Sequence, residues 1–125
     1  MGLSDLDELP ETPARPNLVV DLSKLVGKKS SIEFREPGGP ELSPSQIRVD
    51  RLRAGFAEFS DELLQTCLIM GTCYVSQPGE QVDVPRRLAT LARKHWEVFV
   101  YIAGKFGQAY PRVLLGFDPD EEKND

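Results

Sequence analysis

From Leu88 to Tyr110 the apolar positions keep one helical phase. Leu88, Leu91, Ala92, His95, Trp96, Phe99, Ile102, Ala103, Phe106 and Tyr110 follow at steps of three or four, with a direct neighbour at several turns. That is the period of an amphipathic helix, not of a strand. The pattern fits one long helix, or two helices broken near His95, because Trp96 to Ala103 is apolar on nearly every side. Asp83 is placed to cap its start, Pro85 is tolerated in its first turn, and Pro111 ends it. Trp96 is expected in the core, and His95 is expected as a partly buried structural residue.

Two further helices precede it. Val49, Leu52, Phe56 and Phe59 form one face of a helix reaching to about residue 58, with Ser43 and Pro44 as its N-cap and first residue. Ser60 can cap the next helix, and Asp61 and Glu62 complement its positive dipole end. Its face is Leu64, Cys67, Leu68, Gly71, Tyr74 and Val75, and Gln77-Pro-Gly-Glu80 is a turn. Upstream, Ile32 and Phe34 alternate with Glu33 and Arg35, which predicts a half-buried strand over 31–36 that Pro37 to Pro40 stop. Residues 17–27 read two ways: a short helix capped by Gly27, or a strand at Leu18 to Val20. Residues 1–17 carry Pro10, Pro13 and Pro16 at every third position, which suits an extended arm. The expected fold is therefore mainly α. A small helical bundle over 18–111 carries a short N-terminal strand or hairpin element, between a flexible Pro-rich acidic arm at 1–17 and an acidic, disordered tail at 112–125.

Charge sharpens that division. Residues 1–11 hold four carboxylates and no cation, and 118–125 hold five carboxylates against Lys123, so a chain of net charge −5 has a body of +3 over 12–117. Short acidic termini are expected to be solvated. No segment approaches the roughly 20 apolar residues of a membrane span. The start MGLSDLDELPE has neither the basic nor the apolar region of a signal peptide, so none is expected.

Chemistry is sparse. His95 is the only histidine, and Cys67 and Cys73 lack metal-ligand spacing, so no metal, cofactor or catalytic residue is expected. Cys67 lies on an apolar helix face and is expected as core. Gly38-Gly39 lacks the order of a phosphate loop. Gly55, Gly71, Gly104 and Gly107 are expected to allow close helix contact. Arg48, Arg51 and Arg53, then Arg86, Arg87, Arg93 and Lys94, are interleaved with acids and are expected on solvated faces rather than on nucleic acid.

The last helical region carries more apolar positions than one stripe needs. Val98, Val100 and Tyr101 lie off it, and Lys94 and Lys105 bracket Val98 and Tyr101 at spacings of four. A helix apolar over so wide an arc is either central in its bundle or meets a partner. Val98, Tyr101, Lys94 and Lys105 are therefore the candidate partner-binding residues. The competing account packs Val98 and Tyr101 against the strand at 31–36.

The order of elements resembles the tail assembly chaperones of long-tailed bacteriophages and related prophages. The likeness rests on Gly27-Lys-Lys29, Ile32-Glu-Phe-Arg-Glu-Pro37, the helix ending Cys73-Tyr-Val-Ser76, the Pro78-Gly-Glu80 turn, and Leu91-Ala-Arg-Lys-His95 before an aromatic-rich helix. Family members often carry Pro after that His, where this chain has Trp96. The resemblance implies a non-enzymatic protein of the host cytoplasm, absent from the mature virion. It would bind the long helical tape measure protein and keep it soluble before tail tube subunits polymerise. It allows the tail tube protein and self-association as further partners, and implies neither nucleic acid nor membrane. The alternatives are a small helical adaptor or inhibitor of one folded partner and, last, a small enzyme.

Overall fold

The computed structural model describes residues 2–8, 15–80 and 82–113. The elements run α1 (Leu3–Asp7), β1 (Leu18–Asp21), α2 (Ser23–Val26), β2 (Ser31–Phe34), a 3-10 turn (Gly39–Leu42), α3 (Gln46–Arg53), α4 (Asp61–Cys73), α5 (Val84–Lys94) and α6 (Trp96–Ala109). Among the described residues the protein is mainly helical, with one small antiparallel hairpin.

The two readings of residues 17–27 are both realised, in series. Leu18–Asp21 pairs with Ser31–Phe34, with Leu18 opposite Phe34 and Val20 opposite Ile32. Those four side chains share the inward face, because paired residues project to one side of the ladder. Val19 and Glu33 take the outer face, where Asn17 Nδ2 donates to Glu33 at 2.8 Å. Ser23–Val26 makes one helical turn, closed by Gly27 at φ 72°. That left-handed conformation suits glycine, which has no Cβ to clash.

The bundle is centred on α4, not on the last helix. Leu63, Leu64, Thr66, Cys67, Leu68, Ile69, Met70 and Cys73 are all buried, so α4 is covered on nearly every side. Ser60 caps it, its hydroxyl accepting from Leu63 N at 3.2 Å. α3 is shorter than its apolar spacing implies. Ser45, not Ser43, is its N-cap, and it ends at Arg53, so buried Phe56 and half-buried Phe59 belong to the following turn. The period persists beyond the helix because a turn can drop a ring into the same core. Tyr74 and Val75 likewise leave the helix that their spacing placed them on. Val75 N donates to Glu33 O at 2.9 Å, Arg35 N donates to Cys73 O at 2.9 Å, and Tyr74 bridges to Phe34. The end of α4 thereby finds partners for its terminal backbone groups along the free edge of β2.

The C-terminal stripe is two helices. His95 at φ −140° and ψ 67° leaves helical geometry. Its N–H closes α5 on Leu91 O at 2.7 Å, and its carbonyl accepts from Val98 N and Phe99 N, both at 3.1 Å, to start α6. α5 lays Leu88, Ala89 and Ala92 against α4, and α6 buries Phe99, Ile102, Ala103 and Phe106. The residue at the break faces solvent, so His95 is exposed rather than partly buried. Trp96 is half-buried on the first turn of α6, stacked on Phe99 with ring centroids 5.8 Å apart.

At the N-terminal side the body begins before residue 18. Arg15 pairs with Glu36 at 3.5 Å, and the Tyr110 hydroxyl lies 3.1 Å from Pro16 O and 3.3 Å from Phe34 O. At the other end Val113 is buried. Leu3–Asp7 is helical rather than extended, whereas Pro10, Pro13 and the tail from residue 114 lie outside the described residues.

Candidate partner-binding groove

An open wedge-like cavity lies between the hairpin with α2 on one side and α5 with α6 on the other. Leu22, Val26, Ile32 and Phe34 form one wall, and Leu88, Leu91, Val98 and Ile102 form the other. The cavity measures about 310 Å³, and Tyr74, Glu80, Val82, Val84 and Arg87 complete its lining. Two further depressions adjoin it around the His95 break. One shares Arg87 and Leu91 with the wedge and adds Lys94 and His95. The other joins Leu25, Lys94, Trp96, Glu97 and Val98. The lining is mostly apolar, with Glu80 and Arg87 as its charged members.

The groove stays open because of how its walls are built. α2 is a single turn with no buried residue; Val26 in the wall and Leu25 beside the wedge both remain exposed. Such a turn cannot reach across to cover α6. Tyr74 is held at one lip, its hydroxyl donating to Glu80 at 2.9 Å. The Gln77 N–H and the Tyr74 hydroxyl hold the Glu80 carboxyl below its usual range, while burial pushes the Tyr74 phenol up. Glu80 is thus a fixed, satisfied anion at the end of the groove.

The cations of α5 divide by face. Arg93 donates to Glu58 Oε1 at 2.6 Å and Gly55 O at 2.7 Å, and its guanidinium lies 4.4 Å from the centre of the Phe56 ring. Arg86 pairs with Asp83 at 3.6 Å. Both are fastened to the protein, as is Arg53 to Asp50 and Asp61. Arg87 and Lys94 instead stand on the groove side, and among the described residues neither forms an ion pair. They are seven residues apart, two turns on one face, at a rise of about 10 Å. The expectation of a solvated basic face therefore covers residues of two kinds.

The four candidate residues are not one strip. Val98 is half-buried and lines the groove together with Ile32, so the strand-packing account describes it in part. Tyr101 is 38% exposed beside the groove rather than in its lining, with Lys105 Nζ 5.5 Å from its ring centre. Lys94 lies on the lip, and Lys105 is on the outer face of α6. The sequence reading missed Ile32, Leu91 and Arg87 as groove residues. Leu91 was visible only as part of the stripe, and nothing in the spacing distinguishes Arg87 from Arg86.

The cysteines are core. Burial pushes the Cys67 thiol up to about 12 and Cys73 to about 11. Among the described residues no group of three or more His, Cys, Asp or Glu could hold a metal, and no helix is long and apolar enough to cross a membrane. No family model, curated protein sequence or solved structure matches the chain.

Proposed function

We propose that this protein is a tail assembly chaperone of a long-tailed bacteriophage or prophage, holding apolar helical segments of the tape measure protein in the groove at the α5–α6 break. The observation that carries this reading is the open wedge itself. It has a mostly apolar lining that includes Val98 and Leu91, with Arg87 in it and Lys94 in the adjoining depression. An amphipathic helix binds such a surface by laying its apolar face into the groove, with its polar flanks on the rim. The order of motifs along the chain supports the same class. The role is one of binding without catalysis, in the host cytoplasm, ending before the tail is complete. Several copies along one extended client would add avidity to weak single contacts.

An adaptor for one folded partner differs in stoichiometry. It forms a complex of fixed composition, whereas the chaperone loads several copies on one long chain. Co-expression with a phage tape measure protein is the test. The parent chain should bring the client into the supernatant. A Val98→Ser, Tyr101→Ser double variant that still folds, as judged by its melting curve, should leave most of it in the pellet. A client equally soluble with both chains removes the groove as its binding site.

A further inference from the structure

The lysines of this protein gather around the groove. Those among the described residues are Lys24, Lys28, Lys29, Lys94 and Lys105. Lys105 lies over the Tyr101 ring on the outer side of α6. Lys94 lines both depressions that adjoin the wedge. Lys24 precedes Leu25, and Lys28 and Lys29 follow Val26 across the Gly27 turn, on the side where Val26 lines the wedge and Leu25 the depression beside it. Lys24, Lys28, Lys29 and Lys94 are exposed, and among the described residues none of them forms an ion pair. The arginines differ: Arg15, Arg35, Arg53, Arg86 and Arg93 each pair with a carboxylate.

The carboxylates nearby do not balance these cations. Glu80 accepts from the Tyr74 hydroxyl and the Gln77 N–H, and it faces Arg87. The Ser23 side chain and N–H hold the Asp21 carboxyl below its usual range, with Lys24 adding a smaller attraction. Glu97, on the first turn of α6, is the carboxylate in the depression that Leu25 and Lys94 share. The two ends of the groove therefore differ. Glu80 and Arg87 offset each other at the Tyr74 end, while cations from two walls meet at the His95 end: Lys94 from α5 and the lysines around α2.

We propose that the groove selects amphipathic helices with an acidic polar flank, whose carboxylates lie towards the His95 end. The inference rests on the groove being a helix-binding surface, as proposed above, and names the chemistry of its client. The apolar face of the client would fill the wedge between Ile32 and Val98, while its Asp and Glu residues stand between Lys94 and the α2 lysines. Lysine suits that task, because an ammonium on a flexible stem meets a carboxylate without a fixed geometry. The C-terminal end of the client helix, the negative end of its dipole, would lie at the same end. Two or three exposed ion pairs raise affinity about tenfold at low ionic strength. They would set which amphipathic segments of a long client are held and which are passed over.

Trp96, the only tryptophan of the chain, lines the depression beside Lys94, so its fluorescence reports occupancy, and the amide shifts of Ile32 and Val98 locate it. Three synthetic helical peptides are titrated onto the full chain. They share one apolar face without aromatic residues and carry Glu, Gln or Lys on the polar flank. The Glu peptide should bind about tenfold more tightly than the Gln peptide, the Lys peptide more weakly still, and 0.5 M salt should shrink the difference to about twofold. The chain with Lys24→Gln, Lys28→Gln, Lys29→Gln and Lys94→Gln, shown by its melting curve to be folded, should bind all three alike, whereas Lys105→Gln should behave as the parent. Saturable and equal binding of the three peptides by the parent would overturn the proposal and leave the helix-binding groove standing. Binding of none would overturn both. A Glu preference that survives the four lysine substitutions would also overturn it. So would sedimentation of the parent with phosphatidylserine vesicles in the absence of any peptide preference, which would assign the lysines to a lipid surface.

Discussion

Gly71 of α4 lies directly against Pro85 of α5. A Cβ built on Gly71 would stand 2.5 Å from Pro85 Cγ and 2.7 Å from Pro85 N. Neither the closed ring nor the backbone can move aside cheaply. This contact sets how closely α5 approaches the central helix and hence where the α5 wall of the groove stands.

Gly71→Ala should therefore destabilise the protein by about 1–3 kcal/mol, the usual range for overpacking a tight contact. Chemical denaturation measures it. Adding Pro85→Ala should restore only part of the loss, because the backbone nitrogen stays in the way. Gly104 is the internal control: a Cβ there meets nothing within 4 Å, so Gly104→Ala in α6 should be neutral or stabilising.

Arg35 and Glu41 tie the 3-10 turn to the strand. Arg35 Nη1 donates to Glu41 Oε1 at 2.8 Å, a second guanidinium contact joins Arg35 Nη2 to Glu41 Oε2, and Gly38 N donates to the same carboxylate at 2.7 Å. These contacts lower the Glu41 carboxyl to about 2. A depressed carboxylate contributes its stability above the unfolded value, and that stability fades as the pH falls from the usual carboxylate range towards 2. Arg35 is well exposed, so screening limits the contribution to about 1 kcal/mol. Melting curves between pH 6 and 2 should show Glu41→Gln less stable than the parent at pH 6 and the gap closing as the pH falls. A gap that stays constant would remove the ion pair as its cause.

Both thiols should resist modification in the folded protein. Burial holds Cys67 and Cys73 far above neutral pH, leaving almost no thiolate to react. A thiol reagent at pH 8 should label neither until denaturant is added, then both together. Fast labelling of one in native buffer would show that α4 opens locally.

The helices were legible in the sequence because a buried stripe repeats at 3.6 residues wherever one face meets a core. The Ser60 and Asp83 caps, the Gly27 turn and the Ile32–Phe34 alternation followed from local chemistry in the same way. What failed was inference from period across a boundary. Phe56, Phe59 and Tyr74 keep helical spacing yet sit beyond helix ends, since burial constrains where a side chain goes and not how its backbone gets there. Whether the last helix is the central one was open in its apolar arc; α4 takes that place, with Thr66, Cys67 and Cys73 among its buried residues, a less conspicuous set than the aromatic run of α6. The groove was half legible. Val98 and Lys94 stood out by spacing, but the wall opposite comes from Leu22, Val26 and Ile32, and only the fold brings those segments together.

The central claim is that a client helix lies in the groove at the α5–α6 break. Titration of the folded, isotope-labelled chain with a synthetic apolar helical segment of the tape measure protein, followed by amide shifts, tests it most directly. Saturable shifts should cluster at Ile32, Arg87, Leu91, Lys94 and Val98, with Tyr101 at their border, and leave exposed Ile47 of α3 unmoved. Shifts centred on Ile47 or on the outer strand face at Val19, or no saturable shift at all, would contradict it.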